Sequence, residues 1–208
     1  MADPELWPTI HAERAALAAD LANLPEEQWA TTSLCANWTV TQALGHMTAT
    51  AKLTPAKFLA NLAKAGFSFE KMAATEIAAE TAGGPAATLQ RFNSVLSATD
   101  HPPGPPTTWL GETIVHAEDI RRPLGIKREY PTAAAVRVAD FYKGSNLLIG
   151  AKKRIAGLAL RATDADWSNG TGAEVSGPIV SLVLAMTGRA AALDDLTGEG
   201  VSTLRSRT

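Results

Sequence analysis

The chain is poor in several things that would have settled its class at once. It holds one cysteine, Cys35, which excludes an internal disulfide framework and any cysteine-rich zinc site. It has no excess of either charge: Lys and Arg number 19 against 21 Asp and Glu, for a formal net charge of -2. With a pI near 6.1 it lacks the basic stripe of a nucleic-acid binder. It has no long apolar run. The strongest, Ile179 to Met186, falls far short of the roughly 20 residues that span a bilayer. The N-terminus, Met-Ala-Asp-Pro-Glu-Leu-Trp-Pro, has neither a basic segment nor an apolar one, so no signal peptide is expected. The expectation is a cytoplasmic protein, monomer or homodimer, with no nucleic-acid or membrane partner.

What is present is alanine and helical patterning. The 208 residues are 46% hydrophobic and 19% charged, enough chain to bury a core unaided. Few β-branched runs interrupt the first 160 residues, which favours helix. A first helix is expected from near Pro4 to Leu24, before Pro25. A second follows Trp38 with Thr39 as N-cap and runs through His46 toward Gly66, broken or kinked at Pro55. Gly83-Gly84-Pro85 makes a turn, and Pro85 suits the start of a third helix reaching about Thr99. The four-proline segment His101 to Pro106 is a loop. A fourth helix runs from Thr107 or Thr108 to about Gly125, and a fifth from Pro131 to about Leu148. Glycines then punctuate shorter segments. Arg154–Ala162 and Ala173–Ser176 suit strands, Trp167 to Gly172 reads as a turn, and Pro178–Thr187 suits either a buried helix or a strand. The fold expected is mainly α: a helix bundle over residues 1–150 and a small α/β domain over 151–208.

Chemistry concentrates on the fourth helix. At about 100° per residue, Glu112 and His116 lie about 40° apart, and Asp119 falls within about 20° of Glu112 on the other side. The three share one face, flanked by Trp109, Val115 and Ile120. A buried carboxylate there needs a partner. A Glu and a His at i and i+4 can face one metal ion, and Zn²⁺ accepts both. A third ligand is needed, and His46 is the candidate. It sits on another long helix, on a face of mostly small or apolar residues (Thr39, Gln42, Ala43, Ala49, Thr50, Leu53). The same spacing suits a surface ion pair, and His46 equally suits a hydrogen-bonded core residue. Asp119 could accept the His116 N–H or pair with Arg122. Arg91, Arg121, Arg122 and Arg189 are candidates for an anionic substrate, since the guanidinium fork matches a carboxylate; Arg91 and Arg122 are preferred. Cys35, Trp38 and Trp109 are read as buried or core residues that could also wall such a site.

Linked motifs carry a family resemblance. Cys35-Ala36-Asn37-Trp38-Thr39-Val40 followed by Ala43-Leu44-Gly45-His46 resembles the opening of the DinB-like metal-dependent bundle superfamily. Gly111-Glu112-x3-His116-x2-Asp119-Ile120-Arg121-Arg122 resembles its actinobacterial branch, the mycothiol-dependent maleylpyruvate isomerase-like proteins. Ala162-Thr163-Asp164-x2-Trp167-x2-Gly170-x-Gly172, Ser176-Gly177-Pro178, Gly188-Arg189 and Leu196-x-Gly198-x-Gly200 are similar to that branch too. The resemblance implies a DinB-like four-helix bundle with a divalent metal, usually zinc, on His46, Glu112 and His116. It also implies mycothiol as cosubstrate and a small electrophile that is isomerised about a double bond or receives the thiol. Three other readings remain: a non-catalytic metal- or ligand-binding module, a hydrolase using zinc hydroxide, which would need no thiol, and a purely structural bundle, which would bind no metal.

Overall fold

A computed structural model describes residues 6–35, 37–147 and 149–208. The expected helix start at Pro4 lies outside them. The chain divides into two compact units, Met1–Arg128 and Glu129–Thr208.

The first unit contains six α-helices among the described residues: α1 Leu6–Leu21, α2 Val40–Lys52, α3 Pro55–Lys64, α4 Phe69–Thr81, α5 Gly84–Asn93 and α6 Pro106–Arg121. The prolines act as read. Pro55 ends the long second segment, because its ring cannot continue a helix but suits a first turn, and α3 begins on it. Thr39 caps α2 by a reciprocal box: its hydroxyl accepts from the Gln42 amide at 3.3 Å, and the Gln42 side chain accepts from the Thr39 amide at 2.9 Å. Helix α4 was not foreseen. Its Ala- and Glu-rich stretch carries only two buried residues, Met72 and Ile77, too few to set an apolar period.

Helices α1, α2, α5 and α6 enclose one core, built from Leu17, Leu21, Leu44, Met47, Phe92 and Ile120 among others. This is the expected four-helix bundle. Helix α4 lies against α2, and the approach is close at Gly45, where a Cβ would stand 2.7 Å from the Thr81 methyl. Two ion pairs anchor α1. The Arg121 guanidinium, fully buried, donates to Asp20 at 2.7 Å. Arg128 donates twice to the buried Glu13, at 2.9 and 3.0 Å.

The second unit comprises α7 Thr132–Tyr142, α8 Ala151–Arg154, β1 Leu158–Ala162, β2 Ser168–Asn169, β3 Ala173–Gly177, α9 Ile179–Met186 and α10 Val201–Arg205. Strand order is β2-β1-β3. Strand β1 runs antiparallel to β2 and parallel to β3, with Leu160 opposite Val175. The turn at Trp167 to Gly172 thus carries a short strand, and Gly170, at φ 85°, leaves room for the Leu158 carbonyl. The ambiguous segment after Pro178 is helix: its apolar residues are buried on nearly all sides. Helix α7 ends at Tyr142, short of Leu148, a residue outside the described set. It packs against α9, so it groups with the C-terminal unit, and the division falls at 128/129 instead of the expected 150.

The Glu13 pair gives a stability test. Glu13 is buried while Arg128 is partly exposed, and removing the guanidinium leaves the Glu13 carboxylate without two charge-assisted hydrogen bonds. Arg128→Ala should lower the unfolding free energy by about 2 kcal/mol, read from the urea midpoint.

Candidate metal centre

The site begins with two capped and crowded helices. The Thr39 box fixes the start of α2, and Gly45 lets α2 lie against α4, so His46 is held from both sides. Helix α6 crosses α2 and supplies Glu112 and His116 one turn apart. One nitrogen from each of His46 and His116 and an oxygen of Glu112 all lie within 4.8 Å of one another. The His46 and His116 rings meet edge to face with centroids 4.9 Å apart. His46 Nε2 stands 3.9 Å from Glu112 Oε1, too long for a hydrogen bond. That oxygen is buried and has no hydrogen-bond partner.

A buried polar atom without a partner is rare and calls for a reason. Glu112 Oε1 is aimed between two imidazoles, and two imidazole nitrogens with one carboxylate oxygen are a donor set that suits Zn²⁺ or a similar divalent ion. These residues therefore fit the metal the family implies.

The surroundings orient the ligands. His116 Nδ1 lies 2.9 Å from Asp119 Oδ2, and Asp119 is completely buried. With Nδ1 donating to Asp119, Nε2 is left as the acceptor nitrogen. Asp119 is held in turn, its backbone carbonyl accepting from the Leu34 amide at 3.0 Å. The Cys35 sulfur, on the same loop, lies within 4.8 Å of a His116 nitrogen. Trp38 covers both rings, 4.8 Å from His46 and 6.2 Å from His116 between centroids. The expectation that Asp119 serves His116 thus agrees with the geometry, while Arg122 pairs with Glu118 on its own helix at 2.9 Å.

Charge follows burial. Desolvation pushes the Glu112 carboxyl above its ordinary range, against the pull of His116 and Arg14. Burial alone would lower His116, but its bond to Asp119, the nearby Cys35 sulfur and the charges of Asp119 and Glu112 outweigh it and raise the pKa to about 10. Arg14 was missed in the sequence. It lies on the core stripe of α1 between Ile10 and Leu17, is only 2% exposed, and donates to the Ala98 carbonyl at 2.9 Å. Its place on that stripe was the available signal.

The other candidates lie elsewhere. Arg91 donates to the Glu80 and Ala82 carbonyls at 3.0 and 2.6 Å, closing the end of α4. Arg122 is about 120° around α6 from His116. Arg121 holds Asp20, and Arg189 donates to the Thr187 carbonyl at 3.2 Å. Trp109 is buried against His101, which also stacks on Trp7. His11 and His101 take backbone carbonyls, of Ala98 at 3.3 Å and Pro102 at 2.7 Å.

Fold and site together define a DinB-like bundle with a two-histidine, one-glutamate cluster in its core. Residues 10–101 match the family described as the mycothiol maleylpyruvate isomerase N-terminal domain, in line with the resemblance that the sequence motifs carry. Two solved structures are similar, one of a mycothiol-dependent maleylpyruvate isomerase and one of a histidine-to-alanine mutant of it. They are 16% and 17% identical to the chain, each with a TM-score of 0.65, over 94% of this chain and 92% of theirs. At that identity the likeness is one of fold. No curated protein sequence matches.

The raised Glu112 pKa has a stability consequence. A carboxyl that ionises less readily folded than unfolded opposes folding as pH rises through its unfolded pKa toward the higher folded one. In chelator-treated protein, Glu112→Gln should therefore raise the urea midpoint at pH 7. The gain should shrink as pH falls toward 4.5, the ordinary value for the group.

Proposed function

We propose that this chain is a metal- and thiol-dependent enzyme acting on a small electrophile, by cis–trans isomerisation or by S-transfer. Mycothiol, the thiol of the family's description, is the cosubstrate. The observation that carries this reading is the unpartnered Glu112 oxygen between His46 and His116. A soft or borderline divalent cation is the ligand that satisfies all three at once.

In this reading His46, Glu112 and His116 hold Zn²⁺ or another divalent metal, and Asp119 fixes the His116 tautomer so that Nε2 faces inward. When bound, the ion supplies a deprotonated sulfur at neutral pH, because its charge stabilises thiolate over thiol. Trp38 shields the imidazoles on one side, and the buried flanks of α6 keep water from the others, which strengthens every electrostatic contact in the site. Addition of the thiolate to an activated alkene turns its double bond into a single one. Rotation and loss of the same thiolate give the isomer; protonation of the adduct instead gives the S-conjugate. The hydrolase reading lacks any observation in its favour.

The test is metal content, measured on protein purified without chelator or a metal-affinity column. About one zinc per chain is expected, lost in His46→Ala and in His116→Ala. Asp119→Ala should weaken metal affinity about 10- to 100-fold, the usual effect of removing a ligand's supporting partner. Turnover should require added thiol. Failure to take up Zn²⁺ would overturn the metal site, and turnover without thiol would replace the reading with a hydrolase.

A further inference from the structure

Helix α3 buries no residue, although a helix this short is expected to be held by a packed face. It leans on α4 through half-buried Phe58 and Leu62 and through Asn61, whose side-chain amide donates to Glu76 at 3.0 Å. Its outward arc, Ala56, Leu59, Ala60 and Ala63, is entirely exposed and entirely apolar. Three of the four large hydrophobic residues named as exposed among the described residues fall within this hairpin: Leu59 at 60%, Phe67 at 76% and Phe69 at 50%. Phe67 forms the tip of the turn with φ at 61°. That left-handed conformation is unfavourable for a bulky side chain and natural for glycine or asparagine. Nothing in the packing of the monomer accounts for a phenylalanine there.

Basic residues outnumber acidic ones at the edge of this surface. Residues 54–72 carry Lys57, Lys64 and Lys71 against Glu70 alone, while the whole chain is at -2. The three lysines are exposed. Lys64 and Lys71 flank an open hollow of about 600 Å³ beside Gly66, next to the Phe67 tip. An apolar arc fringed by lysines, with aromatic residues at its end, is the pattern of a helix that lies in a lipid interface. The lack of a spanning segment concerns crossing a bilayer, not resting on one.

We propose that the α3–α4 hairpin docks on an anionic bilayer surface. Leu59, Phe67 and Phe69 enter the headgroup–acyl boundary, and Lys64 and Lys71 take acidic headgroups at the hollow. A second copy of the chain is the other apolar partner available. It fits less well, because two α3 helices packed antiparallel would set one lysine flank against the other.

Co-sedimentation of the full chain with vesicles tests this. Vesicles of phosphatidylcholine with phosphatidylglycerol should pellet the protein, less so as salt rises, and phosphatidylcholine alone should not. The Leu59→Ser, Phe67→Ser double variant should stay in the supernatant with its unfolding midpoint unchanged, since these two side chains are 60% and 76% exposed, whereas Phe69 packs on Phe58. Lys64→Ala should weaken partitioning about fivefold, the worth of one basic residue near an anionic surface. No pelleting with anionic vesicles, equal pelleting with neutral ones, or wild-type binding by the double variant would each overturn the proposal. A dimer in sedimentation equilibrium that Phe67→Ser dissolves, with no vesicle binding, would overturn it in favour of self-association.

Discussion

Everything near the candidate centre follows from a carboxylate oxygen withdrawn from water. The Glu112 side chain is 11% exposed, and its buried Oε1 receives no hydrogen bond. Such a group persists only if nearby positive charge offsets its lost hydration. The bundle supplies that charge from two directions: His116 from the same helix and Arg14 from α1. The remaining helices keep this arrangement tight, with Phe92, Met47 and Ile120 filling the space behind it.

The ligands are fixed by backbone as much as by side chains. The loop before α2 bonds to α6 through Leu34 and Asp119, and the same loop brings Cys35 to His116 and Trp38 over both rings. A short stretch of chain therefore sets the distance between the two ligand-bearing helices. This explains why cysteine, tryptophan and histidine occur as one motif: the first two hold and cover what the third completes.

Much of this was legible in the sequence, for definite reasons. Thr39 announces a helix start because its hydroxyl can accept from a free amide of the first turn; the answering bond from Gln42 was seen only in the structure. Pro55 announces a break because its ring forbids continuation. The common face of Glu112, His116 and Asp119 follows from the helical repeat. What could not be read was which helices touch. That His46 meets Glu112 depends on α2 crossing α6, and spacing along one helix carries no such information; the family motifs supplied it. Helix α4 escaped notice because a helix with two buried residues leaves almost no period. Arg91 and Arg122 drew attention as anion binders by residue type, yet carbonyls at the end of α4 and the neighbouring Glu118 engage them. Arg14 was passed over because an arginine on an apolar stripe looks like an error in the pattern until its burial is seen.

The two helices that carry His46, Glu112 and His116 are separated in the chain by everything between Lys52 and Pro106. That interval contributes α5 to the core but no ligand to the cluster. Chain connectivity thus splits the gene into stretches under unequal constraint. Substitutions within α3 and α4 can accumulate without moving a ligand atom, provided the contact at Gly45 is kept. A lineage could change what the molecule meets on its outer face while its inner chemistry stays as it was.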